Sequence, residues 1–204
     1  MTTLRARQKE DRRKRIVASA KTLFKKKGYE KTTIENIAEA AGVSGVTVHN
    51  YYGTKAGVLL ALVVESDAAL IPRLDESLPR GDGDLVELVV EFAHIIMDHA
   101  IANLEKDIWR QVIAAVTTEA GTRLSKAYSD LDRQLAYVLI QRIEAAQQAG
   151  SLPGAIDPVH LGQALFQLQN ARFIQFISND DATPEDIESR LRNDLTALFS
   201  VCRG

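Results

Sequence analysis

The chain has 204 residues, 46% of them hydrophobic, which is enough apolar material for one core or for a small core beside a larger one. No apolar run of about 18 residues is free of charge, and the basic run MTTLRARQKEDRRKR has no signal-peptide-like apolar stretch behind it. A single cysteine, Cys202, excludes a disulfide framework and a multi-cysteine metal site, so the expectation is a soluble, cytoplasmic protein with no membrane partner.

The net charge of -2 conceals a division. Residues 1–57 hold 13 Lys/Arg and 5 Asp/Glu, whereas residues 58–204 hold 12 and 22. A basic head on an acidic body points to a polyanionic partner at one end.

Taken in order, the elements are helices. Ile16, Ala20, Leu23 and Phe24 repeat at helical spacing, and Gly28 stops the run. Thr32 or Thr33 caps a second helix, with Thr32 and Glu35 at capping-box spacing, and Gly42 ends it. Ser44 caps a third, and Gly53-Thr54 closes it and opens a fourth. Residues 33–52 therefore read as helix, tight turn, helix. Ile34, Ile37, Ala38, Val43, Val48 and Tyr52 would close a small core with the first helix.

A longer apolar helix is expected from Ala56 to about Ile71, stopped by Pro72. The LPRGDGD stretch at 78–84 is the clearest breaker. Residues 85–101 are apolar around most of the helix and should be central. Helices follow over Leu104–Glu119, from Leu124 to near the AGSLPG stretch at 149–154, over Asp157–Ser178 and over Pro184–Val201. No strand, repeat or low-complexity tract is evident. The expected fold is all-α with about nine helices. A three-helix helix-turn-helix domain (1–55) would precede a larger helical domain (56–204).

In a helix-turn-helix the second helix enters the major groove of DNA. Here that helix is about Gly45–Tyr51. Val48 and Tyr52 face inward, which leaves Gly45, Val46, Thr47, His49, Asn50 and Tyr51 on or near the outer faces. Asn can bond an adenine edge in a bidentate manner, and Thr or Val can touch a thymine methyl. The helix has no Lys or Arg, so affinity for the backbone must come from elsewhere. Thr33 and Ser44 at helix starts, with Lys55, offer hydroxyls, amides and one charge to phosphate oxygens. Arg5, Arg7, Arg12, Arg13, Lys14 and Arg15 add a charged arm or first turn.

Residues 10–60 resemble the DNA-binding domain of the TetR family of bacterial transcriptional regulators. The stretches that carry the resemblance are RIVASAKTLFKKKGYEKTTIENIAEAAGVS and TVHNYYGTKAGVL. Three positions depart from the family pattern. His49 stands where Tyr is usual, Gly45-Val46 replaces a pair such as Lys/Arg-Gly, and Tyr52 replaces Phe. The first two alter the groove-facing surface, so no operator carries over from another member.

The resemblance implies a dimeric, ligand-responsive regulator, a repressor by expectation, on a palindromic double-stranded DNA operator. It implies a second domain that dimerises through its last two helices and holds a small-molecule pocket. For the homodimer interface the sequence offers Leu161, Leu165, Leu168, Phe176, Leu191, Leu195 and Leu198. For the pocket it offers polar or aromatic residues in apolar helices: His94, Met97, His99, Trp109, Gln111, Tyr128, Tyr137, Phe166, Gln167, Asn170 and Phe173. Among them no basic cluster stands out beside Arg110 and Arg172, so the expected effector is neutral or hydrophobic. His94 and His99 are five apart and do not share a face as an i, i+4 pair would, so no metal site and no cofactor are expected. There is no Gly-x-Ser-x-Gly, phosphate loop, paired-carboxylate motif or dinucleotide fingerprint, so the chain is not expected to be an enzyme. The alternative is a ligand-independent DNA-binding protein whose second domain has a filled core.

Overall fold

The computed structural model describes residues 4–79, 83–118 and 120–201. Cys202, the middle of the 78–84 breaker and the expected helix end at Glu119 lie outside the described residues. The described residues form an all-helical fold of ten helices: α1 Leu4–Lys27, α2 Ile34–Ala41, α3 Gly45–Tyr52, α4 Lys55–Asp67, α5 Leu70–Ser77, α6 Leu85–Asn103, α7 Lys106–Thr118, α8 Arg123–Gln148, α9 Pro158–Ser178 and α10 Pro184–Val201.

The departure from the expected course lies at Pro72. The helix expected to run to Ile71 ends at Asp67, and Pro72 sits in the first turn of α5 instead of stopping α4. A proline is tolerated there because the first amides of a helix have no intrahelical acceptor to lose.

The helices pack as two compact units, residues 1–66 with 107–129 and residues 67–106 with 130–204. In the first unit α2 packs on both α1 and α3. Ile16, Val17, Ala20 and Phe24 form the buried stripe of α1, met by Ile37, Ala38 and Ala41 of α2 and by Val48 and Tyr52 of α3 among the buried residues. Gly57 near the start of α4 has a steric reason to be glycine. A Cβ there would lie 2.0 Å from the Tyr52 carbonyl oxygen and 3.1 Å from Leu124 Cδ1.

In the second unit α6 is the central helix. It packs on α5, α9 and α10, and eight of its residues, from Leu88 to Ala100, are buried. Phe92 and Phe166 meet edge to face at a centroid separation of 6.3 Å, within a core that also holds Leu70, Leu74, Leu139, Ile143, Leu191 and Leu195. The Lys106 ammonium donates to the carbonyls of Asn179 (2.8 Å) and Ala182 (2.7 Å), which fixes the turn between α9 and α10. None of the helices among the described residues is long and apolar enough to cross a membrane.

Candidate functional site

The turn between α2 and α3 is built from local hydrogen bonds. The N-cap of α2 is Thr33: its side chain accepts from the Asn36 amide at 3.2 Å, and the Asn36 side chain accepts from the Thr33 amide at 3.3 Å. The reciprocal pair is thus Thr33 with Asn36, one register later than the expected Thr32 with Glu35. Thr32 is buried, and its hydroxyl donates to the Gly28 carbonyl at 2.8 Å, sealing the end of α1. Glu35 keeps a role in the first turn. Its own backbone amide and the Thr33 hydroxyl hold its carboxyl below the usual range.

Gly42 ends α2 in the left-handed region (φ 64°), where a β-carbon would be strained. Two residues later Ser44 caps α3: its Oγ accepts from the Thr47 amide at 3.2 Å and lies 2.9 Å from the Thr47 hydroxyl. This local geometry decides which side chains of α3 are available. Val48 and Tyr52 are buried, Val46 is 69% exposed, His49 and Asn50 are exposed, and Gly45, Thr47 and Tyr51 are half-buried. Thr47 is partly occupied by its cap. His49 Nδ1 lies 2.6 Å from the Gly53 carbonyl oxygen, which turns the ring toward the end of its own helix. Val46 and Asn50 are left as outward groups able to read a thymine methyl and an adenine edge.

Around this helix the supports are specific. The Tyr52 hydroxyl donates to the Arg13 carbonyl at 3.3 Å, and burial pushes its pKa up. The Lys55 ammonium donates to the Tyr29 carbonyl at 2.8 Å and to the Glu30 carbonyl at 3.4 Å, and sits 4.1 Å from the centre of the Tyr29 ring. It therefore braces the loop between α1 and α2. The expected basic arm belongs to α1, which starts at Leu4 and exposes Arg5, Arg7, Arg12, Lys14 and Arg15. Arg13 and Arg15 also pair with Glu10 (3.8 Å) and Asp11 (3.4 Å), so part of this charge is internally met.

The expected pocket residues do not form one group. Trp109, Gln111 and Tyr128 fall in the first unit, the others in the second. Phe166, Met97 and Phe173 are buried, Phe166 in the core itself, while Tyr137 and Gln167 are exposed. Asn170 accepts from the buried Gln169 side chain at 2.9 Å. His94 Nδ1 lies 2.6 Å from Glu188 Oε1, a bond between α6 and α10 that raises the His94 pKa. His99 Nε2 lies 3.0 Å from Asp67 Oδ1, with the Asn103 side chain beside it. Asp132, close enough to feel the Asp67 charge, has its pKa pushed up to about 6, chiefly by burial.

A cavity of about 740 Å³ lies elsewhere in the second unit. It is lined by Leu85, Val86 and Leu88 of α6, Arg142 and Ala146 of α8, Ser151, Leu152, Pro153 and Ile156 of the following loop, Leu161 of α9 and Phe199 of α10. None of the eleven expected pocket residues is in this lining. Arg142 is the functional candidate that reading the sequence missed. The signal was present: Arg142 continues the buried α8 stripe of Leu131, Leu135 and Val138 at helical spacing, and a charge in an apolar stripe needs a reason.

The expected dimer residues also need correction. Leu165, Phe176, Leu191 and Leu195 are buried within the chain's own fold and have no surface left for a partner. Leu161 and Leu168 are half-buried against the same core, and Leu161 also lines the cavity. Leu198, 54% exposed, faces outward, as does Ile174 on α9. Helical spacing alone could not separate these, because a helix packed on one side and paired on the other carries two apolar faces.

Comparison with known proteins adds the following. Residues 16–62 match the family model of bacterial regulatory proteins of the tetR family. The HTH-type transcriptional regulator HbdR of Aromatoleum sp. (strain CIB) is 28% identical over 99 residues, 48% of this chain and 42% of HbdR. The HTH-type transcriptional regulator TcmR of Streptomyces glaucescens is 32% identical over 93 residues, 46% of this chain and 41% of TcmR. The match thus spans about two fifths of the length of each curated relative. The fold as a whole is similar to that of Thermus thermophilus FadR, a TetR-family repressor solved with lauroyl-CoA. The TM-score is 0.68 and the identity 24%, over 92% of this chain and 93% of that one.

Proposed function

The chain belongs to the TetR family of bacterial transcriptional regulators, and from that premise we propose that it is a ligand-responsive repressor that binds a palindromic DNA operator as a homodimer. The observation that carries this reading is the α2–α3 pair, capped at both starts and presenting Val46 and Asn50 outward, with His49 exposed beside them. Residues 1–55 would form the reading head and residues 56–204 the effector-binding and dimerisation domain. Thr33, Ser44, Gly45, Thr47, Tyr51 and Lys55 complete the proposed DNA contacts, with the exposed cations of α1 supplying most of the phosphate attraction.

Two copies would place their α3 helices in successive major grooves, about 34–36 Å apart. The outward faces of α9 and α10, including Ile174 and Leu198, are the surface proposed for the two-fold contact. An effector in the second domain would lower operator affinity by binding more tightly to an arrangement with a different head spacing, because only differential affinity can shift the balance. The cavity of about 740 Å³ favours this over the reading in which the core of the second domain is filled.

The test is selection from a random duplex-DNA pool with purified protein, followed by affinity measurements on the enriched sequence. Enrichment of a palindrome is the expected result. Asn50→Ala should weaken binding to that sequence by roughly tenfold or more, the value of a good base contact. A pool that yields no common sequence, before and after the protein is unfolded and refolded to strip any inducer, would overturn the proposal.

A further inference from the structure

The cavity of the second unit, at about 740 Å³, has the size of small-molecule sites. Its wall is mostly apolar, from Leu85 on α6 through Leu161 on α9 to Phe199 on α10. Arg142 is the cation among its described lining residues and is only 7% exposed. Its Nη2 donates to the backbone carbonyl and to Oδ1 of Asp75, each at 2.7 Å. Its Nε is buried and has no hydrogen-bond partner among the described residues. A buried guanidinium N–H without an acceptor is costly and calls for an explanation, a water, an ion or a ligand oxygen being the acceptors that would relieve it.

We propose that this cavity binds a neutral, largely apolar small molecule carrying one carbonyl-type acceptor oxygen, as in a ketone, ester or lactone, with that oxygen set against Arg142. The inference rests on the reading of the protein as an effector-responsive regulator, and it names the chemical class of the effector. Charge decides against the ionised classes. Asp75 already supplies the counter-charge of the guanidinium. Asp84 stands in the same wall, its Oδ1 accepting from the amides of Val86 (2.7 Å) and Glu87 (3.3 Å). A carboxylate or phosphate ligand would bring further negative charge into a mostly apolar space where the cation among the described lining residues is already paired. An ammonium would face Arg142 itself. A carbonyl oxygen brings an acceptor without either penalty, and the apolar remainder of the ligand is matched by the leucines and Phe199.

The experiment titrates the full-length protein, by calorimetry, with methyl nonyl ketone, undecanoate, undecylamine and lauroyl-CoA. The ketone is expected to bind about tenfold or more tightly than the acid and the amine. Leu161→Trp, which fills the cavity and leaves Arg142 and Asp75 in place, should weaken the ketone by about tenfold or more. Arg142→Gln should weaken it as well, and if that variant does not fold, Leu161→Trp decides alone. Absence of ketone binding, a preference for undecanoate, undecylamine or lauroyl-CoA, or a ketone affinity that Leu161→Trp leaves unchanged would overturn the proposal. Adding the ketone to protein bound to its selected operator separates the two readings. Ketone binding without release of DNA keeps the site and removes its effector role. An enriched operator with no ketone binding keeps the regulator and removes the site.

Discussion

The two units use their polar groups in different ways. In the first, the caps that shape the α2–α3 surface join residues three or four apart, Thr33 with Asn36, Ser44 with Thr47, Thr32 with Gly28 and His49 with Gly53, while Tyr52 with Arg13 and Lys55 with Tyr29 add two longer supports. In the second, beside local caps such as Asp84 with the Val86 amide, a set of bonds ties segments far apart in sequence: Arg142 with Asp75, His99 with Asp67, His94 with Glu188, Lys106 with the α9–α10 turn. A surface shaped mainly by local caps depends little on distant groups, which suits a fixed reading face. A body tied by distant charged groups responds to whatever changes those charges or fills the space between its helices, which suits a sensor.

The sharpest way to break this distinction is to compare one buried and one outward side chain. Phe166→Ala removes a ring from the core of the second unit, where it meets Phe92 edge to face, and should cost about 3–5 kcal/mol of stability in urea unfolding. Val46→Ala, at a position 69% exposed, should change stability by less than about 0.5 kcal/mol while weakening operator binding. Equal losses of stability from the two would mean that α3 is held by its outward side chains and not by its caps and inner face.

The next effect in size concerns charge. Burial and the Asp67 charge push the Asp132 pKa up to about 6, above its ordinary value of 3.8. The folded state therefore binds a proton that the unfolded chain has released. The advantage is complete below about pH 4 and is lost as pH rises through about 6, leaving a constant penalty above. Asp132→Asn should remove that penalty and stabilise the protein by on the order of 1–3 kcal/mol at about pH 8, at about 1.4 kcal/mol per pKa unit. The gain should vanish toward pH 4. Urea midpoints across that range check it, and a pH-independent gain would mean that Asp132 is strained for reasons of shape.

What could be read in advance follows the same division. The caps at Thr33 and Ser44, the turn at Gly42 and the inward side of Val48 and Tyr52 obey spacing rules of three or four residues, so the head could be drawn from its sequence to within one register at Thr32. The ends of α9 and α10 were legible for the same reason: Asp157 and Pro158, and Pro184, are local signals. The partner of Arg142 was not legible, because it lies 67 residues away. Nor could spacing tell which leucines of α9 and α10 the core takes, as it does Leu191 and Leu195, and which it leaves outward, as it does Leu198. Pro72 misled because a proline reads alike whether it stops one helix or opens the next.

A smaller effect tests the local half of the comparison. Thr33→Ala removes the hydroxyl that caps α2 and should cost about 1 kcal/mol. The Thr33–Asn36 bond joins neutral groups, and the Glu35 carboxyl, which the Thr33 hydroxyl also holds below its usual range, is ionised from about pH 6 to about pH 8, so the loss should be the same at both. A cost that fades as pH falls below the ordinary carboxyl value of 4.5 would show that part of it runs through Glu35, whose carboxyl is lowered partly by Thr33.

The smallest effect tests the distant half. The Glu188 carboxylate, 2.6 Å from His94 Nδ1, raises the His94 pKa, with Asp98 at 3.6 Å and the Glu91 charge acting in the same direction and burial against it. The raised value means that the imidazolium is favoured in the fold. Its stabilisation is complete below the unfolded pKa near 6.5 and is lost as pH rises through the folded value. His94 keeps 44% of its side chain exposed, so solvent screens the pair and the coupling should be only about 0.2–1 kcal/mol. A double-mutant cycle of His94→Ala with Glu188→Ala isolates it from the Asp98 contribution, which survives in the Glu188 variant. Coupling at about pH 5.5 that disappears by about pH 9 would make the α6–α10 link a charge-dependent tie, as the comparison requires. Coupling that persists at the higher pH would make it a neutral hydrogen bond, and this part of the body would then be held in the same manner as the head.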